Sequence, residues 1–322
     1  MTRWLVTGAG GMLGRNLQDV LAQAGEQVTA LDRAALDITD QKAVHAAVQG
    51  HNVVVNCAAW TDVDGAESAE AAATAVNGTG VRHLARACSR AGARLLQVST
   101  DYVLPGRTDR PCPESAPTGP VNAYGRAKLA GEQAVLELLP DTGYVVRTAW
   151  LYGEHGPNFV STVLKLAAVR DTLDVVDDQH GQPTWSHDLA RQLHTLGRRA
   201  SAPAGIYHGT AAGRTTWYGL ARAAYRLAGL DPERVRPTSS TAFPRPAARP
   251  AYSVLGHGRW ADAGLAPLPA WEDSLAEALQ RPAFRALTAI RELRPPVSAA
   301  VQPCLQPDAR SGRTPVGSEP AR

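Results

Sequence analysis

The run Trp4-Leu5-Val6-Thr7 has the look of a buried strand. It breaks into Gly8-Ala9-Gly10-Gly11-Met12-Leu13-Gly14, and a helix pattern with Leu13, Leu17, Val20 and Leu21 on one face follows at once. A strand, a glycine turn and a helix in that order constrain a chain more than any other feature here. Such a turn brings backbone N–H groups and a helix N-terminus to a pyrophosphate. The glycines stand at 8, 11 and 14; G-x-G-x-x-G does not fit, because position 13 is Leu. Gly8, Gly10, Gly11, Met12, Leu13 and Gly14 are therefore the expected phosphate turn of a dinucleotide cofactor, the alternative being a plain glycine turn.

The next strand pattern, Gln27 to Leu31, ends in Asp32, where an acid takes the adenosine ribose hydroxyls. Arg33 beside it offers a cation to a 2′-phosphate, so NADH is favoured and NADPH tolerated. Val53-Val54-Val55-Asn56 reads as a buried strand, and Cys57, Ala58, Ala59 and Trp60 close it with mostly small residues that let a cofactor approach the backbone. An Ala-rich helical region from Glu67 to about Arg90 is interrupted near Asn77-Gly78, with Asn77 read as structural rather than water-holding. Strands alternating with helices point to α/β architecture. The expectation is a doubly wound parallel sheet of Rossmann type with a smaller C-terminal substrate lobe.

The stretch from Ser99-Thr100-Asp101 to Lys128 carries the chemistry. On a helix, Tyr124 and Lys128 stand at i and i+4 on one face. An ammonium there lowers the phenol pKa toward neutrality, and the phenol gives its proton to a carbonyl oxygen as hydride reaches the carbon. Thr100, delivered by the strand Leu95-Leu96-Gln97-Val98, hydrogen-bonds the same oxygen. Tyr-x-x-x-Lys alone also describes a solvated helix face, but the glycine turn and the Ser-Thr strand end precede it in the right order. Thr100, Tyr124 and Lys128 are the expected catalytic set, with Tyr124 and Lys128 also touching the cofactor. Tyr102 to Asn122, rich in Pro and Gly, reads as a lid or substrate loop.

Composition excludes other classes. The chain has 322 residues, is 44% hydrophobic and 20% charged, and carries a formal charge of +3, too mild to argue for nucleic acid. Cys57, Cys88, Cys112 and Cys304 show neither metal spacing nor a disulfide framework. No apolar run is long enough to span a bilayer, and a cytoplasmic protein without a membrane partner is expected.

The motifs together resemble the dTDP-4-dehydrorhamnose reductase family of extended short-chain dehydrogenase/reductases, from Met1 to about Leu255. The resemblance rests on Gly8-x-x-Gly11-x-x-Gly14, Val98-Ser99-Thr100-Asp101-Tyr102-Val103, and Asn122-x-Tyr124-Gly125-x-x-Lys128-x-x-Gly131-Glu132. It continues through Arg147-Thr148-x-Trp150, Asn158-Phe159-Val160, Asp178-Gln179-x-Gly181-x-Pro183-Thr184 and Arg249-Pro250-x-x-Ser253-x-Leu255. It implies reduction of the 4-keto group of a dTDP-4-keto-6-deoxyhexose by NADH or NADPH. It also places Asp37-Ile38 at the adenine, the alternative being an ordinary turn acid.

The implied substrate set is Thr100, Asp101, Trp150, Asn158, Gln182 and Arg249. Trp150 either covers the hexose or serves as a core tryptophan. Arg249 is expected along the diphosphate, in preference to Arg245, and His208 is expected to be structural. Related nucleotide-sugar dehydratases follow their Thr-Asp step with Glu, whereas Tyr102 stands here, which favours simple carbonyl reduction. Epimerase or dehydratase chemistry, or a non-catalytic NAD(P)-binding regulatory subunit, are the alternatives; loss of Tyr124 or Lys128 would favour the last, and both are present. Some relatives bridge subunits through magnesium held by a glutamate after the glycine loop. Arg15-Asn16 supplies no carboxylate there, so no metal and a monomer or weak homodimer are expected. The expected division is residues 1–157 mainly for the cofactor, 158–293 mainly for the sugar nucleotide, with a helix from Trp271 to about Leu293, and 294–322 as a disordered tail.

Overall fold

Apolar runs closed by polar residues become the strands of one parallel sheet in the computed structural model, which describes residues 2–289. The first half runs β1 (Arg3–Thr7), α1 (Met12–Gln23), β2 (Gln27–Leu31), α2 (Gln41–Val48), β3 (Val53–Asn56), α3 (Val63–Ser68) and α4 (Glu70–Thr74). A π-helical segment (Ala75–Gly80) leads to α5 (Val81–Ala91), β4 (Arg94–Thr100), α6 (Ala123–Leu138) and β5 (Gly143–Thr148). Every residue of β3 and β5 is buried, as expected of strands covered on both faces. β1 pairs in parallel with both β2 and β3, so the strand order reverses at β1 and a crevice opens at the carboxyl ends of β1 and β3.

The second half contributes β6 (Leu151–Tyr152), α7 (Phe159–Ala167), β7 (Leu173–Val176), β8 (His180–Gly181), β9 (Thr184–Trp185), α8 (Ser186–Arg198) and β10 (Gly205–His208). It ends with β11 (Thr215–Thr216), α9 (Trp217–Leu227), β12 (Val235–Thr238), α10 (Arg259–Asp262), α11 (Trp271–Ala278) and α12 (Pro282–Ala289). Its core packs Phe159, Val163, Trp185, Trp217, Leu220, Trp271 and Leu275 into one cluster.

A boundary at residue 157 does not separate the two cores. The main sheet has the order β10-β5-β4-β3-β1-β2, so β10 joins β5 as a parallel edge strand. Leu189, Leu193 and Leu196 of α8 pack with Leu13, Leu17 and Leu21 of α1 on one sheet face, while Val44, Leu84 and Val135 cover the other. The physical reason is the edge of β5: without β10 its row of backbone donors and acceptors would have no strand partner.

Two helix expectations also change. The region from Glu67 begins earlier, at Val63, and is cut into α3, α4, the π segment and α5. At the π segment, the Asn77 amide donates to the Trp60 carbonyl at 3.0 Å and accepts the Trp60 N–H at 2.9 Å, which ties the wide turn to the loop after β3. The expected helix from Trp271 is broken before Pro282, which lacks an N–H and disfavours helical geometry at Arg281. Its last residues and the tail 294–322 lie outside the described residues, as does Cys304. Cys57, Cys88 and Cys112 are free thiols. No helix among the described residues is long and apolar enough to cross a membrane.

One buried ion pair fixes α6 to the sheet. Arg147 of β5 donates from Nη2 to Glu132 of α6 at 2.7 Å, both side chains being 1% exposed. Ser99 of β4 donates to the same carboxylate at 2.6 Å. Gly131 allows the close packing beside it, since a Cβ there would meet the Asn77 carbonyl oxygen at 2.2 Å. Removing one partner of such a pair leaves a buried charge uncompensated. Glu132→Ala is expected to lower the unfolding free energy in urea by about 3–5 kcal/mol; a loss under about 1 kcal/mol would show that water reaches Arg147.

Candidate active site

Two clefts open along the carboxyl ends of the sheet. The first lies over the glycine turn. Gly8 has φ +66 and Gly14 lies under it, and a Cβ would fall 2.4 Å from the Ala58 nitrogen at Gly8 or 2.5 Å from the Gly8 oxygen at Gly14. The turn is therefore as tight as side-chain-free backbone permits. Gly11 caps α1 without a side-chain hydrogen bond, so the first N–H groups of α1 take no cap from it and suit an anion. Ala9, Gly10, Arg15, Asp32 and His155 line a cleft of about 520 Å³ beside them. These features fit the pyrophosphate and ribose of a dinucleotide.

Other cofactor-side residues are distributed less simply. Met12 and Leu13 begin α1, with Leu13 facing the core. Asp32 Oδ1 accepts the N–H groups of Ala34 and Ala35, each at 3.0 Å. Arg33 is exposed and does not line the cleft; Arg15 does, with its Nε donating to the Gly10 carbonyl at 3.1 Å. Asp37 accepts from the Thr39 N–H and hydroxyl, while Ile38 is buried against Gly80. Cys57, Ala58, Ala59 and Trp60 follow β3 across from Gly8, and burial pushes the Cys57 thiol up to about 12. Asn16 is buried, its amide oxygen accepting from Ser186 at 2.5 Å. No group of three or more His, Cys, Asp or Glu among the described residues is placed to hold a metal ion.

The second cleft, about 380 Å³, begins where β4 ends. Thr100, Asp101, Tyr124, Trp150 and Asn158 all line it, which brings together most of the set expected to meet a substrate. The Asn122 side chain caps α6 by accepting the Gly125 N–H at 2.8 Å, and this start of the helix sets Tyr124 at the cleft. Burial raises the phenol's pKa, the Asp101 charge adds to the rise, and a hydrogen bond from Thr100 opposes it. Thr100 Oγ1 also donates to Asp101 at 3.0 Å and accepts the Tyr102 N–H at 3.2 Å.

Lys128 is placed differently from the expectation of an ammonium tuning the phenol. Its Nζ donates to the Val98 carbonyl at 2.7 Å, and it does not line the second cleft. Burial draws its pKa down to about 8, against the charge of Glu132. The i, i+4 spacing holds, but the side chain turns under the end of β4 because a buried ammonium needs an acceptor and that carbonyl supplies one.

Other residues singled out from the sequence have partners that the motifs do not reveal. Asn158 saturates its amide in capping α7, accepting the Ser161 N–H and donating to the Gly153 carbonyl, so it shapes the cleft wall. Gln182 is buried away from the cleft, bonded to Thr210 and to the backbone of Leu255. Arg249 and Arg245 both pair with Asp64 at the start of α3, at 2.5 and 2.7 Å, and neither lines the cleft. His208 is buried with its Nδ1 on the Gly256 carbonyl; burial, with the Arg147 charge, draws its pKa down to about 3.

Trp150 takes φ 48, unusual for a bulky side chain, and its ring stacks on Trp217 with centroids 3.5 Å apart. The stack rests on Gly181, where a Cβ would fall 2.5 Å from the Trp150 ring. Trp217, Thr148 and Thr61 also line the cleft and went unassigned from sequence. Thr148 at least sits in a motif block, Arg147-Thr148, whereas Trp217 and Thr61 stand in none.

A doubly wound sheet with an anion-binding glycine turn, joined to a cleft holding Thr and Tyr hydroxyls, defines a nicotinamide-dependent oxidoreductase of the short-chain dehydrogenase/reductase class. The family model described as RmlD substrate binding domain matches residues 2–284, and the chain belongs to that family. It is 61% identical to a dTDP-4-dehydrorhamnose reductase of Streptomyces griseus over 85% of this chain and 92% of the relative. It is 54% identical to a dTDP-4-keto-6-deoxy-D-glucose reductase of Streptomyces niveus, covering 86% of this chain and 96% of that one. A dTDP-4-dehydrorhamnose reductase of Bacillus anthracis, solved in complex with NADP, superposes with a TM-score of 0.82 at 36% identity, covering 87% of this chain and 99% of that chain.

Asp101 makes a testable contribution to stability. Burial lifts its carboxyl from 3.8 to about 6, so between those values the folded chain holds a proton that the unfolded chain releases. The contribution is full below the lower value and is lost as pH rises through the upper one. Asp101→Asn, neutral throughout, is expected to gain about 1–2 kcal/mol on the wild type between pH 5 and pH 8 in urea unfolding. An unchanged difference across that range would mean that the carboxyl is solvated.

Proposed function

We propose that the chain reduces the 4-keto group of a dTDP-4-keto-6-deoxyhexose, using NADH or NADPH, with the second lobe holding the nucleotide end of the substrate. The carrying observation is the meeting of Thr100 and Tyr124 in a cleft walled by the Trp150–Trp217 stack. Trp150, at the end of the first half, and Phe159, Trp217 and Leu220 of the second give this cleft a broad apolar side, which suits the apolar faces and methyl group of a deoxysugar.

The glycine turn, the N-terminus of α1 and Asp32 would hold the cofactor, with Lys128 near the nicotinamide ribose. The reduced nicotinamide supplies hydride when bound. Thr100 and Tyr124 hold the ketone oxygen, and Tyr124 gives it a proton as charge develops there. Burial keeps Tyr124 in its phenol form at neutral pH, which is the form a proton donor needs. A nascent alkoxide is more basic than a phenolate, so the transfer runs downhill. Tyr102, half-buried with its phenol pKa raised by desolvation, supplies no carboxylate, which favours reduction over elimination. The proposed protein acts as a monomer or weak homodimer without nucleic-acid or membrane partners.

Tyr124→Phe is expected to keep cofactor binding and to lose roughly 10²-fold or more in turnover, read from reduced-nicotinamide absorbance at saturating cofactor. Turnover within a few-fold of wild type would remove the phenol from the mechanism. On the cofactor side, a carboxylate at Asp32 favours free ribose hydroxyls and repels a 2′-phosphate. Asp32→Ala is expected to weaken NADH binding more than NADPH binding in fluorescence titrations. Equal losses would mean that Asp32 does not read the ribose.

A further inference from the structure

Asp32 shares its end of the cofactor cleft with a guanidinium. Arg15 of α1 lines the same cleft, together with Asp19 one turn further along the helix and His155 from the loop between β6 and α7. A Cβ built on Gly10 would meet the Asp32 Cβ at 3.4 Å, and the Arg15 Nε donates to the Gly10 carbonyl at 3.1 Å. The guanidinium is thereby moored on the glycine turn beside the carboxylate. Arg33, the cation next to Asp32 in the chain, is exposed and stays outside the cleft.

We propose that Arg15 is the residue that receives a 2′-phosphate on the adenosine ribose, and so sets how well the chain accepts NADPH against NADH; this rests on the dinucleotide reading of the glycine turn, not on the sugar substrate. A free 2′-hydroxyl has a proton to give, and Asp32 can accept it. The Asp32 Oδ1 already takes the N–H groups of Ala34 and Ala35, each at 3.0 Å, which fixes the carboxylate and leaves Oδ2 for the ribose. A 2′-phosphate is an anion near neutral pH and repels that carboxylate. It needs a cation within reach. With Nε on the Gly10 carbonyl, the terminal amino groups of Arg15 form the planar fork that suits two phosphate oxygens.

The turn around Arg15 favours this use. Gln18 donates to the Ala9 carbonyl at 2.8 Å and the Gly14 carbonyl at 3.0 Å, so side-chain donors from α1 cover the carbonyl oxygens of Ala9, Gly10 and Gly14. Uncovered, those oxygens would oppose an incoming anion. Asp19 works the other way, since it stands at i+4 from Arg15 on the same helix face and brings a second carboxylate to the cleft. Arg15 is thus set against two carboxylates, and without it a 2′-phosphate would meet both. The side chain is exposed, so it reaches an incoming cofactor without displacing a packed neighbour.

Cofactor binding in the absence of sugar tests this. NADPH and NADH are titrated by fluorescence on the full chain, and adenosine 2′,5′-bisphosphate and AMP are used to compete them off. Arg15→Ala, which keeps a good helix former on an exposed face, should lose about tenfold more affinity for NADPH than for NADH, the scale of a hydrogen bond to a charged group. It should lose affinity for the bisphosphate over AMP in the same proportion. Asp19→Asn should move the ratio toward NADPH by about two- to fivefold. Equal losses of both cofactors in Arg15→Ala would put the guanidinium on the pyrophosphate that they share and overturn the assignment. A selective NADPH loss in Arg33→Ala, with none in Arg15→Ala, would overturn it in favour of Arg33, and a wild type that binds NADH but not NADPH would overturn it outright. A wild type that binds both cofactors by titration yet leaves the reduced-nicotinamide absorbance unchanged with a dTDP-4-keto-6-deoxyhexose would overturn the reductase reading alone.

Discussion

Arg147, Glu132 and Ser99 meet where no water reaches, and three elements are held in register by that meeting. Arg147 comes from β5, Glu132 from α6 and Ser99 from β4. A buried charge without its partner costs several kcal/mol, so α6 has little freedom to slide or rotate on the sheet. Tyr124 and Lys128 ride on the same helix, two turns and one turn before Glu132. Their positions relative to Thr100 at the end of β4 are inherited from the ion pair, which is also why the pair is worth its desolvation.

Around the carboxyl end of β4, Lys128 reaches the Val98 carbonyl, while Thr100 and Asp101 line the cleft with Tyr124. Desolvation acts on all of them, drawing the ammonium down and pushing the carboxyl and phenol up. Each shift favours the neutral form. A phenol held in its protonated form is what reduction of a carbonyl requires of a proton donor.

The second half of the chain is woven into the first rather than appended to it. α8 and β10 complete the Rossmann sheet and its helical cover, while the segment from Arg245 to Arg249 is tied to Asp64 and its Ala248 carbonyl to Asn122. The second cleft therefore has one wall from each half, with Trp150 and Trp217 stacked on the lobe side. The positive φ of Trp150 is tolerated because Gly181 and Trp217 fix the ring from two sides.

Local pattern was enough for much of this. The glycine turn between Thr7 and Met12, the strands at Val53 and Leu95 and the placing of Thr100 and Tyr124 at one cleft all follow from short-range periodicity and chirality, which a linear sequence carries. What it does not carry is the partner of a long polar side chain. Lys128 chose a carbonyl 30 residues earlier, Arg249 a carboxylate 185 residues earlier and Gln182 the backbone 73 residues later, and each choice satisfied a buried group that the motif pattern would have aimed at a ligand. The place of Trp217 in the cleft and the pairing of β10 with β5 escaped for the same reason, since both exist only after the second lobe has folded back on the sheet. Sequence by itself determined the class of fold and the pairing of Thr100 with Tyr124 at one cleft, because those rest on neighbours along the chain; tertiary structure decided which buried polar groups remain open to a substrate, because that depends on what the rest of the chain has already satisfied.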